Sequence, residues 1–163
     1  MVYNSTLGIL QQAEDAEDVT QEVFMQVYES IDKFKGESRF STWLYRIAVT
    51  KSLDHLRRKK RKKRFAFVQS LFGKNDELVH DPEDLFHPGV ATEKREAAAI
   101  LFKAISGLPE NQHIAFVLNK TEGLSYKDIS EVMKISESAV DSLLHRAKQN
   151  LRKKLEIYYF HHK

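Results

Sequence analysis

Three prolines, Pro82, Pro88 and Pro109, and six glycines are the only strong breakers in 163 residues. So few interruptions leave long segments that suit helices better than many short strands joined by turns. The apolar residues agree with that reading. Val19, Val23, Phe24, Val27 and Ile31 recur at helical spacing along a segment from about Asp15 to Asp32. Lys35-Gly36-Glu37-Ser38 interrupts the pattern, and Ser41 is placed to cap a helix beginning at Thr42. That second helix carries Trp43, Leu44, Ile47, Ala48, Leu53 and Leu56 on a broad face and continues without a breaker to about Arg64. A helical pattern resumes near Thr92, passes through Ala97, Ile100, Leu101, Ala104 and Ile105, and stops at Gly107. Pro109 then opens a helix bearing Ile114, Val117 and Leu118. No tandem repeat of fixed period runs through the chain. The expected fold class is all-α.

A chain of this length holds one ordinary domain or two small helical ones. The stretch from Phe65 to about Gly89 decides for two. It contains two prolines and two glycines, and the acids Asp76, Glu77, Asp81, Glu83 and Asp84 have no Lys or Arg beside them. It reads as a flexible, partly disordered acidic linker. We therefore expect small helical domains over residues 1–66 and 92–163, with the linker at 67–91. A hydrophobic fraction of 42% and a charged fraction of 30% suit packed cores with a solvated surface. No apolar run approaches a membrane span, and the N-terminus lacks a secretory signal. Cysteine is absent, which removes disulfides and thiolate chemistry and fits a reducing, cytosolic setting.

The net charge of +3 is unevenly spread. Arg57 through Arg64 are eight consecutive cations. Such a run would neutralise backbone phosphates and make nucleic-acid binding steeply salt-dependent. Solvated charge or a nuclear address would account for it as well.

The C-terminal third carries a helix-turn-helix pattern. Ser125 and Asp128 have capping-box-like spacing ahead of Ile129, Val132 and Met133 on one helical face. Lys134-Ile135-Ser136 breaks the phase, with Ser136 as the next cap. Val140, Leu143, Leu144, Ala147 and Leu151 then define a second helix. Ser138, Asp141, Ser142, His145, Arg146 and Gln149 are left outward, where a major groove could meet them. Arg146 suits bidentate pairing with guanine and Gln149 with adenine. Spacing alone would serve an ordinary helical hairpin equally well, but the adjacent cations Lys148, Arg152, Lys153 and Lys154 favour DNA.

Three stretches in two separate places, in the right order, resemble the extracytoplasmic-function sigma factors of bacterial RNA polymerase. Asp15-Ala16-Glu17-Asp18-Val19-Thr20-Gln21-Glu22-Val23-Phe24 is similar to the family's helix that docks on the polymerase clamp. Phe34 to Ile47, FKGESRFSTWLYRI, is similar to its promoter-melting segment. Leu108-Pro109-Glu110 through Leu155, including Gly123-Leu124-Ser125-Tyr126 and Leu144-His145-Arg146-Ala147, is similar to the domain that reads the minus-35 element. The resemblance implies polymerase contacts from Asp15, Glu17, Asp18, Gln21, Glu22 and Phe24. It implies minus-10 contacts from Lys35, Arg39, Trp43, Arg46, Thr50, Lys51, Arg57 and Arg58, and minus-35 contacts from Ser138, Ser142, His145, Arg146 and Gln149. The implied partners are core RNA polymerase, duplex promoter DNA, the unpaired minus-10 strand and an anti-sigma factor.

Physical chemistry supports these parts independently. Carboxylates on an amphipathic helix suit a basic partner. Cations beside Trp43 and Tyr45 suit capture of an unpaired base, although a tryptophan more often belongs to a core. The sequence departs from the family in places: Asp141 and Leu143 stand where cations are frequent, Thr50 where asparagine is usual, and Lys134 where glycine is frequent. Much of the family's first helix is expected to be missing ahead of Asp15.

The competing reading is a stand-alone helix-turn-helix regulator binding operator DNA, which would have no use for the docking and melting segments. Enzymatic chemistry is not expected. His161 and His162 are adjacent at a terminus, His80 and His87 match no metal spacing, and no phosphate-binding glycine loop or nucleophile elbow occurs. No cofactor, metal, catalytic residue or small-molecule substrate is therefore assigned.

Overall fold

The computed structural model describes residues 1–72 and 92–160, with side chains placed for 1–65 and 97–156. In chain order the helices are α1 (Val2–Leu10), α2 (Ala13–Ser30), a 3₁₀ turn (Ile31–Lys33), α3 (Phe40–Phe72), α4 (Thr92–Ser106), α5 (Glu110–Lys120), α6 (Tyr126–Met133) and α7 (Glu137–Phe160). No strand occurs among the described residues. The fold is all-α, as the scarcity of breakers requires.

The first half packs α1, α2 and α3 around Val2, Leu10, Ala16, Val19, Val23, Leu44 and Ala48. Val19 and Val23, one helical turn apart, are fully buried, and each such side chain contributes about 1.5–3 kcal/mol relative to exposure. α1 was not expected, because polar Ser5 and Thr6 occupy its buried face. The Thr6 hydroxyl donates to the Tyr3 carbonyl at 2.9 Å and accepts from Thr20 Oγ1 at 3.0 Å. Burial of such a hydroxyl without partners would be destabilising.

α3 differs from expectation at both ends. It begins at Phe40 rather than Thr42, so Ser41 lies in the first turn and is not the cap. Phe40 is drawn into the helix because it packs with Phe34 and Trp43, and the Arg39 carbonyl accepts from Trp43 N at 3.1 Å. At the other end α3 runs past Arg64 to Phe72, so residues 67–72 are helical rather than linker. At 33 residues it is about 50 Å long. Acids on neighbouring helices offset part of its charge. Asp15 Oδ2 lies 2.5 Å from Lys59 Nζ, Asp15 Oδ1 lies 3.1 Å from His55 Nε2, and Glu22 lies 3.3 Å from Arg58. The remainder of the expected linker, residues 73–91, lies outside the described residues.

In the second half, α4 and the turn that follows it pack on α7 through Ala104, Leu108, Ala147 and Leu151. α5, α6 and α7 bury Ile114, Val117, Leu118, Ile129, Val132, Val140 and Leu144. The expected helix-turn-helix is present. Ser125 caps α6 with a complete capping box, Lys134 makes the turn in the left-handed region at φ 55°, and Ser136 Oγ accepts from Ala139 N at 3.2 Å at the start of α7. The two halves also touch. Ile9, Tyr45 and Val49 join the core of α5, α6 and α7.

Candidate nucleic-acid interface

The α7 face is set by its buried stripe. Val140, Leu144, Ala147 and Leu151 point inward, so Ser138, Asp141, Ser142, His145, Arg146 and Gln149 are all exposed on the other side. Gln149 Nε2 and His145 Nε2 lie 3.0 Å apart, one turn along this face. Below it, Asn150 donates to Gln112 Oε1 at 2.8 Å and Lys154 to the Gly107 carbonyl at 2.6 Å, which fix α7 against α5 and the α4–α5 turn. A rigid helix presenting short polar side chains and one free guanidinium can enter a major groove and read base edges.

The second surface lies where α2 gives way to α3. Gly36, at φ 71°, makes the turn that lets the chain reverse. Phe34, Phe40 and Trp43 then form an aromatic cluster with centroid separations of 5.1 to 5.8 Å. Trp43 is half-buried there and belongs to none of the hydrophobic cores. This partly exposed aromatic platform beside exposed Lys35 and Arg39 offers stacking faces together with phosphate partners. Phe34 and Phe40 were missed as candidates, although the spacing of Phe40 and Trp43 on one helical face was available as a signal.

The cations along α3 are not equally free. Both Arg46 Nε and Nη2 donate to the Glu131 carbonyl, at 2.9 and 2.8 Å. Arg39 lies 3.6 Å from Asp128, and Arg57 lies 3.2 Å from Glu110 and 3.6 Å from Asp54. Arg58 reaches Glu22. Thr50 is exposed and Lys51 half-buried on the same helix. Tyr45, beside Arg46, donates its hydroxyl to Glu122 at 2.8 Å. Burial first, and then the Glu122 carboxylate, push the Tyr45 phenol above its ordinary pKa.

On α2 the carboxylates separate into two groups. Asp15 and Glu22 are held by cations of α3, whereas Glu17, Asp18 and Gln21 are exposed. Next to them lie Phe24, Met25 and Tyr28, the last 85% exposed. Met25 and Tyr28 did not stand out in the sequence, because an exposed apolar residue has no periodicity of its own. Large apolar side chains rimmed by acids are what a protein partner buries. The described residues hold no group of three or more His, Cys, Asp or Glu able to bind a metal, and no described helix is long and apolar enough to cross a membrane.

Comparison with known proteins divides the chain at similar places. Residues 1–62 match the family model of Sigma-70 region 2, and residues 98–151 match that of Sigma-70, region 4. The RNA polymerase sigma-H factor of Pseudomonas aeruginosa is 35% identical over 144 residues, 88% of this chain and 75% of that protein. The ECF RNA polymerase sigma-E factor of Escherichia coli K12 is 32% identical over 142 residues, 87% of this chain and 74% of that protein. Among solved structures, the sigma factor RpoE of Bartonella quintana, in complex with the anti-sigma factor NepR, aligns with a TM-score of 0.67. It is 22% identical and the match covers 96% of this chain and 90% of that one. CnrH, in complex with the cytosolic domain of CnrY, also aligns with a TM-score of 0.67, at 19% identity over 96% of this chain and 80% of that one. At those identities the structural likeness speaks to the fold.

Proposed function

Because the chain belongs to the extracytoplasmic-function sigma factors of RNA polymerase and directs promoter-specific initiation of transcription, we propose a division of that work among the surfaces just described. α2 docks on core polymerase through Glu17, Asp18, Gln21 and Phe24, with Met25 and Tyr28 adding apolar area. Asp15 and Glu22 contribute by fixing α2 against α3, since their carboxylates are already engaged. The Phe34, Phe40 and Trp43 cluster receives unpaired minus-10 bases. Lys35, Arg39, Arg46, Thr50, Lys51, Arg57 and Arg58 line the path of the strand backbone.

Ser138, Ser142, His145, Arg146 and Gln149 read the minus-35 duplex from the major groove. The protein supplies recognition and strand capture in the cytoplasm and leaves the chemistry to the polymerase, without a cofactor of its own. An anti-sigma factor is the regulatory partner we assign, by analogy with the complexes in which RpoE and CnrH were solved.

The observation that carries this reading is the co-occurrence of an exposed recognition face on α7 with a partly exposed aromatic platform at the start of α3. The experiment is retention of the full chain on purified bacterial core polymerase, compared with Asp18→Ala and Tyr28→Ala. We expect retention that weakens in both variants. Equal retention of all three would refute the docking assignment.

A further inference from the structure

Several side chains assigned above to the unpaired strand are held by the other half of the same chain. Arg46 places two N–H groups on the Glu131 carbonyl, at 2.9 and 2.8 Å. That carbonyl belongs to the last turn of α6, where oxygens without helical partners carry partial negative charge. Arg39 meets Asp128 at the first turn of α6, Arg57 meets Glu110 at the first turn of α5, and Tyr45 meets Glu122 between those helices. Carboxylate and carbonyl oxygens therefore lie where the phosphate oxygens of a bound strand would lie.

Apolar contacts hold this arrangement closed. Ile9, Tyr45 and Val49 pack with Ile114, Val117 and their neighbours. The buried ring of His113 donates from Nε2 to the Gly8 carbonyl at 3.0 Å, which requires the Nε2–H tautomer. Gly8 lets α1 approach α5, since a Cβ there would meet Val117 Cγ1 at 2.7 Å. One feature opposes closure. Glu122 Oε1 is buried without a hydrogen-bond partner, a cost that release to water would remove. Meanwhile Ser138, Ser142, His145, Arg146 and Gln149 remain exposed.

We propose that this contact is autoinhibitory and selective: α6 and the carboxylates flanking it occupy the arginines that hold the unpaired strand, while the recognition face of α7 stays open to duplex DNA. The proposal rests on the assignment of Arg39, Arg46 and Arg57 to the strand. Closure and single-stranded DNA then exclude each other, and by linkage each weakens the other by the same factor. Duplex can be read by the closed chain, whereas strand capture requires the halves to part.

The chain has no cysteine, so a single engineered disulfide can lock the contact. A Cβ at Gly8 would stand 3.7 Å from Val117 Cβ, a separation typical of disulfides. In full-length Gly8→Cys/Val117→Cys, binding is measured to a labelled oligothymidine of about a dozen nucleotides and to a mixed-sequence duplex of about two helical turns. These lengths span the groups under test.

Oxidation is expected to abolish most oligothymidine binding and reductant to restore it. Withholding three arginines should flatten the salt dependence, by about 2 in the slope of log K against log salt. Duplex binding, identified with α7 by its loss in Arg146→Ala, should be the same oxidised and reduced. A second full-length variant, Gly8→Leu, wedges the halves apart without altering a DNA contact and should raise oligothymidine affinity several-fold over the parent. Equal oligothymidine binding by oxidised and reduced protein would overturn the proposal. So would failure of the disulfide to form together with parental affinity in Gly8→Leu. Run-off transcription with core polymerase separates the two levels. Promoter-directed initiation alongside either of those results would refute autoinhibition alone, whereas no initiation by parent or wedge would refute the functional assignment itself.

Discussion

Ser125→Ala tests whether α6 stands where it does because of its cap. Ser125 Oγ accepts from Asp128 N at 3.1 Å and donates to Asp128 Oδ2 at 2.5 Å, while Ser125 N donates to the same carboxylate at 3.3 Å. The substitution removes the first two bonds and leaves the third, so the loss should be about 1 kcal/mol, the middle of the range for N-caps. In a melting experiment that loss lowers Tm by about 4–8 °C if the second half unfolds alone, and by about 2–4 °C if the shared core makes the whole chain unfold as one unit.

Asp128 reports the same event independently. The Ser125 side-chain hydrogen bond is the main cause that holds its carboxyl below the ordinary 3.8; burial opposes it, and the Ser125 backbone N–H, Arg39 and Lys127 add smaller lowering effects. A depressed carboxyl contributes stability that is whole above its unfolded value and is lost as pH falls through the folded value. In Ser125→Ala the Asp128 titration, followed by NMR, should move back toward 3.8, and the acid limb of the stability profile should shrink. An unchanged Tm, with Asp128 titrating as in the parent, would refute the capping account.

Arg146→Ala should relax discrimination at one minus-35 position by about 1–3 kcal/mol, read as a flattened preference in binding to a base-substituted duplex series; uniform weakening across the series would instead mark a phosphate contact. Leu118→Ala, at a fully buried position in the shared core, should cost about 2–5 kcal/mol in denaturant unfolding, and a loss too small to measure would show that the core is not packed as described. Burial pushes His113 below its ordinary 6.5, partly opposed by the Gly8 hydrogen bond. Stability from burying the neutral ring is therefore whole above 6.5 and declines as pH drops below it. His113→Gln should remove that part of the pH dependence, and an unaltered profile would refute it.

The helix-turn-helix was legible because its signals are local. Ser125 with Asp128 and Ser136 mark the helix starts, and the apolar stripe from Val140 to Leu151 has the right period. α1 was hidden because Ser5 and Thr6 fill core positions, which a hydrophobic pattern counts as exposed. The start of α3 was misplaced because the aromatic packing of Phe40 on Phe34 and Trp43 outweighed the capping preference of Ser41. Its extension past Arg64 to Phe72 was unreadable because those residues open the stretch whose prolines, glycines and acids read as linker, and those signals all lie beyond Phe72.

The candidate surfaces divide in the same way. The exposed face of α7 follows from periodicity, whereas Asp15 and Glu22 cannot be told from the free Glu17 and Asp18 without knowing what packs across from them. The pairings of Arg46 with Glu131 and of Tyr45 with Glu122 join residues about eighty positions apart, and no local pattern encodes such contacts.

The most direct test of the central account is initiation on promoter fragments by core polymerase supplemented with this chain, with unpaired thymines mapped by permanganate. The account predicts defined start sites, permanganate reactivity near the minus-10 position, loss of start-site selection in Arg146→Ala, and loss of reactivity in a Phe34→Ala/Trp43→Ala variant that still binds duplex. Retention on core polymerase without specific starts, or melting untouched by loss of the aromatic cluster, would contradict it.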